Sequence, residues 1–298
     1  MWPEFIGFYL LGIFVAVNNF AFWCEDRKYN RRAKRIYGED NIVKTLKNTS
    51  IRVKLKHKFK RVIMFIGGFD SKSSDFDSLL KLLSEDILCV CPRAYGWDFV
   101  DSEFLHHAKW NEMYVYYEDI FTVLSSITDT IDVVAHSHGC NIASILASRN
   151  EINKLILLSP NFSNPKICVF IKTIFLSPFG IYLKWLFPRL PFFTESTFNS
   201  KLKGYFSLGR TSVPFNSVVE QWRCQNASLK TGIWNINSVT MVQDSNDSIL
   251  GPPDEQSNII KKHIEDKTDF YVKVQDHLYH NMVTEGTINE WLANILSE

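Results

Sequence analysis

The sequence predicts an α/β protein: a mostly parallel sheet flanked by helices, with a helical cap insertion and an N-terminal transmembrane helix. Three observations predict it. From about residue 51 onward, short apolar runs of strand length alternate with segments of helical spacing. Strands separated by helices form parallel sheets through right-handed crossovers. The alternation is interrupted once, between about residues 163 and 234, by a long apolar stretch of helical character. Residues 5–24 carry no charged side chain.

That uncharged stretch is read first. As a helix rising ~1.5 Å per residue it would span roughly 30 Å, the thickness of the hydrocarbon core. Trp2 and Trp23 stand at its ends, where indoles favour the membrane interface. Residues 1–4 hold no Lys or Arg and no small-x-small site follows, so a cleaved signal peptide fits poorly. Residues 1–24 are therefore expected to form a transmembrane anchor. Residues 25–50 are a basic juxtamembrane linker. Between Arg27 and Arg61 there are fourteen Lys/Arg and two acids. The positive-inside rule puts this flank, and the bulk of the chain, on the cytoplasmic side. The same basic collar would hold the protein against anionic lipid. Within residues 54–61, lysines alternate with apolar residues, as on a solvated edge strand.

Residues 61–66 then form an apolar strand run ended by Gly67-Gly68. Ser73-Ser74-Asp75 can cap a helix carrying Leu79, Leu80, Leu82 and Leu83. Residues 87–91 read as a strand stopped by Pro92, and residues 113–127 as a helix with Tyr117, Ile120, Phe121 and Leu124 on one side. The run Ile131-Asp132-Val133-Val134 leads into Ala135-His136-Ser137-His138-Gly139-Cys140, and a helix follows. Residues 155–158 are the next strand. The insertion then contains residues 167–187, where Lys172 and Lys184 interrupt an apolar sequence. These charges argue against a second span. Its apolar surface would cover a substrate cleft or dip into a membrane surface. Residues 238–243 and 270–274 read as strands, residues 257–264 and 288–296 as helices.

Composition narrows the function. The formal net charge is +1, which argues against a nucleic-acid-binding protein. The six cysteines lie mostly in apolar runs and read as small core hydrophobes. The sequence implies no cofactor. His136 and His138 form a His-x-His pair without an obvious third ligand, so no metal is expected either; both read as packing around the turn.

Ser137 is the candidate nucleophile. A serine on a sharp strand-to-helix turn, flanked two residues away by Ala135 and Gly139, matches a nucleophile elbow. The turn crowds its backbone against the sheet, so only small residues fit at 135 and 139. The helix N-terminus beside it favours developing negative charge. Two further candidates follow later strands: Asp247 after residues 238–243, and His277 after residues 270–274. His280 and Asp244 remain open as alternatives to His277 and Asp247.

With nucleophile, acid and base in that chain order, residues 51–298 resemble the α/β-hydrolase superfamily. The resemblance implies the α/β-hydrolase fold and a Ser137–His277–Asp247 triad. It also implies an oxyanion hole of backbone N–H groups from Phe69 and His138, with Gly67 and Gly68 shaping the first of these turns. Ala135 and Gly67 depart from the family's commoner Gly and His. The implied activity is a serine hydrolase cleaving a carboxylic ester through an acyl-enzyme. With the expected anchor, the substrate would be a lipid such as a monoacylglycerol or lysophospholipid. The same triad would serve a thioesterase or acyltransferase, and the fold alone would serve a non-catalytic binding protein.

Overall fold

The computed structural model describes residues 61–94, 107–191 and 212–297, apart from isolated positions. The expected transmembrane helix, the basic linker and the edge strand before residue 61 lie outside the described residues. Among the described residues, six strands form one parallel sheet in the order β2-β1-β3-β4-β7-β8. They are β1 (Arg61–Ile66), β2 (Ile87–Val90), β3 (Ile131–His136), β4 (Ile152–Leu158), β7 (Ile236–Asp244) and β8 (Asp269–Gln275). A separate antiparallel pair, β5 (Arg189–Pro191) and β6 (Ser212–Pro214), belongs to the insertion.

The centre of the sheet is covered on both faces, so β1 and β3 are buried along almost their whole length, whereas the edge strand β8 is partly exposed. Along β1 the side chains alternate. Val62, Met64 and Ile66 join one core, Ile63 and Phe65 the other. Helices α2 (Trp110–Ser125), α3 (Gly139–Ala147), α6 (Phe215–Ser228) and α7 (Pro253–Lys261) contribute to the first core. Helices α1 (Asp77–Leu80) and α8 (Asn289–Ser297) contribute to the second. The helix expected after Ser73-Ser74-Asp75 is shorter than its leucines suggest: a 3₁₀ turn, Ser73–Phe76, runs into α1. In α2 the buried residues Met113, Tyr117, Ile120 and Leu124 recur at helical spacing. The Glu112 carboxylate accepts the Lys109 N–H at 3.1 Å and satisfies one of the helix's orphan donors. Every residue of α3 is buried, since it lies between the sheet and both α2 and α6.

The N-terminal rim of the sheet carries a buried charge. The Asp132 carboxylate, fully buried on β3, pairs with Arg61 of β1. It also accepts Asn153 Nδ2 at 2.8 Å and the Lys154 N–H at 3.1 Å.

The insertion is mostly helical. Helices α4 (Lys166–Leu176) and α5 (Phe179–Leu186) meet at 97°. Gly180 permits that bend, because a methyl there would stand 2.0 Å from the Phe175 carbonyl oxygen. No single described helix is long and apolar enough to cross a membrane, whereas the bent α4–α5 pair has the length and composition together. A polar chain seats the insertion on the sheet. Lys172 Nζ of α4 and Asn164 Nδ2 donate to Gln225 Oε1 of α6, at 2.6 and 2.9 Å. Gln225 Nε2 donates to the Asn161 carbonyl at 2.9 Å, and Asn141 Nδ2 of α3 donates to the same carbonyl at 3.0 Å. Partial burial pulls the Lys172 ammonium down to about 8.

Candidate active site

The turn between β3 and α3 has the geometry its small residues imply. Ser137 takes φ 52°, a left-handed conformation that costs energy for a residue with a side chain. Ala135 is buried in β3, paired with Ile66 on one side and Leu157 on the other. A methyl on Gly139 would stand 2.5 Å from the Ile66 carbonyl oxygen and 2.6 Å from that of Gly67. Backbone cannot yield there, so glycine is required. Gly68 meets the turn from the end of β1: a methyl on it would lie 2.8 Å from Ser137 Cβ. Its N–H donates to Ser71 Oγ at 2.7 Å, which pins the loop beside the serine. Phe69, the next residue, and His138, the N-cap of α3, are the two expected oxyanion donors. Both belong to the chain segments that converge on Ser137.

Three side chains stand in line. His280 Nε2 lies 2.9 Å from Ser137 Oγ, and His280 Nδ1 lies 2.8 Å from Asp247 Oδ2. The partners fix the tautomer. A carboxylate oxygen only accepts, so Nδ1 carries the proton and Nε2 is left free to accept the serine O–H. Asp247 follows β7, its side chain fully buried. Burial alone would raise its pKa. The hydrogen bond and charge of His280, with the Ile249 and Leu250 amides, outweigh that and hold the carboxyl below its usual value. Ser137 Oγ is thus set against a base that is oriented by a buried anion, the constellation that activates a serine for attack on an acyl carbon.

The structure corrects one expected member. His277 does not meet Ser137: it is exposed at the turn after β8, with φ 63°. His280, three residues on, occupies the position instead and is 7% exposed. The strand ends at Gln275, and the turn must travel further before it reaches the serine. Asp244 accepts the Asn246 N–H at 2.7 Å and so closes its own turn, while Asp276 takes the Ser245 hydroxyl and Asn246 Nδ2.

Sequence reasoning also missed a contact made by His136. Its Nε2 donates to the His280 carbonyl oxygen at 2.8 Å, and Ser159 Oγ donates to the same oxygen at 3.3 Å. The ends of β3 and β4 thereby hold the backbone of the base. Burial, with the nearby charge of His280, depresses His136 to about 4. It stays neutral beside the base, with its ring centre 5.2 Å from that of His280. His138 is likewise pushed down to about 4 by burial, and its Nε2 has no hydrogen-bond partner. Among the described residues, no group of three or more His, Cys, Asp or Glu is arranged to hold a metal ion.

No protein-family model matches the sequence, and no curated protein matches it. Solved structures do. One, from work on the metagenome-derived lipolytic enzymes LipS and LipT, aligns with a TM-score of 0.61 at 11% identity, over 81% of this chain and 95% of its own. A monoacylglycerol lipase of Paleococcus ferrophilus aligns at 0.58 and 14% identity, over 78% and 94%. A soluble variant of the monoglyceride lipase of Saccharomyces cerevisiae, in complex with a substrate analogue, aligns at 0.56 and 14% identity, over 81% and 87%. At these identities the likeness is one of fold, and it bears out the α/β-hydrolase fold expected from the sequence.

Proposed function

We propose that this chain, which has the α/β-hydrolase fold, is a serine hydrolase of carboxylic esters whose triad is Ser137, His280 and Asp247. The observation that carries this reading is the unbroken hydrogen-bonded line from Ser137 Oγ through His280 to Asp247. His280 takes the serine proton as Oγ attacks the ester carbonyl. Asp247 holds the imidazole in the required tautomer and stabilises its charged form. The tetrahedral oxyanion is received by the backbone N–H groups of Phe69 and His138, each such donor being worth about 3 kcal/mol of barrier. His280 then protonates the departing alcohol, and water, activated by the same imidazole, releases the acyl group from Ser137.

The substrate in this reading is a lipid ester, such as a monoacylglycerol or lysophospholipid. Two of the solved structures above are of enzymes that act on monoacylglycerol. The uncharged stretch at residues 5–24 and the basic residues after it support a single-pass anchor with the hydrolase domain at the cytoplasmic face.

A fluorophosphonate probe tests the nucleophile. The wild-type protein should be labelled and Ser137→Ala should not. Labelling that survives in Ser137→Ala assigns the reaction to another residue. Release of fatty acid from long-chain monoacylglycerol and lysophospholipid, compared with short water-soluble esters and acyl thioesters, tests the substrate. Turnover confined to the short esters or to the thioesters rejects the lipid-ester assignment.

A further inference from the structure

Helix α5 presents large apolar side chains to solvent. Ile181 is 73% exposed and Trp185 79%, with Tyr182 and Phe179 more than half exposed on the same helix and Phe170 on α4. Ile181 and Trp185 are four residues apart and share one face, with Tyr182 three residues before Trp185. An apolar surface of this kind, unrelated to the core, marks an interaction site. Its composition points to the partner. Residues 165–189 contain four Lys/Arg and no Asp or Glu, and Trp and Tyr are the side chains that favour a membrane interface.

A second observation lies where α5 meets α2 and α6. A pocket of about 480 Å³ is lined by Lys109, Trp110, Lys184, Asn216, Glu220 and Arg223, among others. Its one carboxylate is already engaged, with Arg223 Nη1 at 2.5 Å and the Trp110 N–H at 3.1 Å. Lys184 Nζ donates to Asn216 Oδ1 at 3.1 Å. Three cations against one acid leave the pocket positive. Lys184 follows Ile181 by three residues on α5, the spacing of neighbours on a helix surface, so the positive pocket adjoins the apolar face.

We propose that α4 and α5 form a membrane-docking element. Ile181, Tyr182 and Trp185 enter the boundary of the acyl chains, and the pocket of Lys109, Lys184 and Arg223 receives an anionic lipid headgroup. An interfacial helix binds through buried apolar area together with attraction to anionic lipid. Both contributions are present at this one surface. The docking goes beyond the hydrolase reading and needs no catalysis.

The test uses the full chain in phosphatidylcholine vesicles, with and without phosphatidylserine, whose acyl chains are brominated. Subtracting the emission of Trp185→Phe from that of the wild type isolates Trp185. Phosphatidylserine vesicles should quench more than about half of that emission. Lys184→Glu and Arg223→Glu should each lower the docked-to-undocked ratio roughly fivefold in phosphatidylserine vesicles, with little change in phosphatidylcholine alone. Trp185 emission that brominated lipid leaves untouched overturns docking. If that emission is also blue-shifted, the face is covered by another segment or a second copy. Quenching that ignores both charge reversals overturns the headgroup pocket. Fluorophosphonate labelling of Ser137 in the same samples reports on the hydrolase reading separately, and should persist in the docking-defective variants.

Discussion

Replacing His136 should slow catalysis without weakening substrate binding. The His280 backbone belongs to a turn outside the sheet, and its carbonyl is held by His136 Nε2 at 2.8 Å and by Ser159 Oγ at 3.3 Å. His136 is buried and, with its pKa near 4, neutral at working pH. Its bond to the carbonyl is therefore a neutral one, worth about 1 kcal/mol net, or up to about 3 kcal/mol if its loss strands a buried acceptor. His136→Leu keeps the volume and removes the donor. If that free energy falls on the placement of the imidazole, the share of enzyme with His280 on Ser137 drops about 5- to 150-fold. The value of kcat should fall by that factor with KM unchanged. His136→Gln, whose amide nitrogen reaches about as far as Nε2, should restore most of the rate. The assay is steady-state kinetics on a p-nitrophenyl ester, with the folded fraction measured alongside by circular dichroism. A kcat in His136→Leu within twofold of the wild type, or a rate loss matched by lost folded protein, refutes the reasoning.

Three further outcomes follow. His280→Ala should lower kcat by about 10⁴-fold or more, whereas His277→Ala should leave it within about threefold; equal losses would mean that the turn rearranges in solution. Asp132→Ala should cost about 3–5 kcal/mol in a urea titration, because it leaves Arg61 near-buried without its partner; the probe-labelling rate of the folded protein should not change. Stability should also fall with acid. His136 and His138 titrate near 4 in the folded chain against an ordinary 6.5, so between those values the unfolded chain binds protons that the folded chain excludes. The stabilisation is complete above pH 6.5 and is lost as pH falls toward 4, by about 3 kcal/mol for each imidazole. His138→Gln should shrink the difference in unfolding free energy between pH 7 and pH 4, and an unaltered difference would assign the acid sensitivity elsewhere.

The sequence made the serine legible because its requirements are local. A strand, a helix and the small residues Ala135 and Gly139 all fall within one short segment, and the crowding at Gly139 is imposed by the backbone of Ile66 and Gly67. Asp247 was legible from its position after a strand. The choice between His277 and His280 was not, because it depends on how far a turn travels before it doubles back. What separates them in the fold is burial: His280 lies between the buried Leu278 and Met282, whereas His277 is exposed. The contact of His136 with a carbonyl 144 residues away leaves no local trace. In the insertion, helical spacing was readable, but the β5–β6 pair and the face of α5 left in solvent depend on packing.

Because the six described strands of the main sheet run the same way, the two ends of those strands divide the molecule's labour. The end where strands finish collects the strained, costly groups that the proposed reaction would use. The end where they start, anchored by Asp132 and Arg61, meets no such demand. Efforts to harden this protein against heat can therefore concentrate on that starting end, a sheet's height away from any atom that must react.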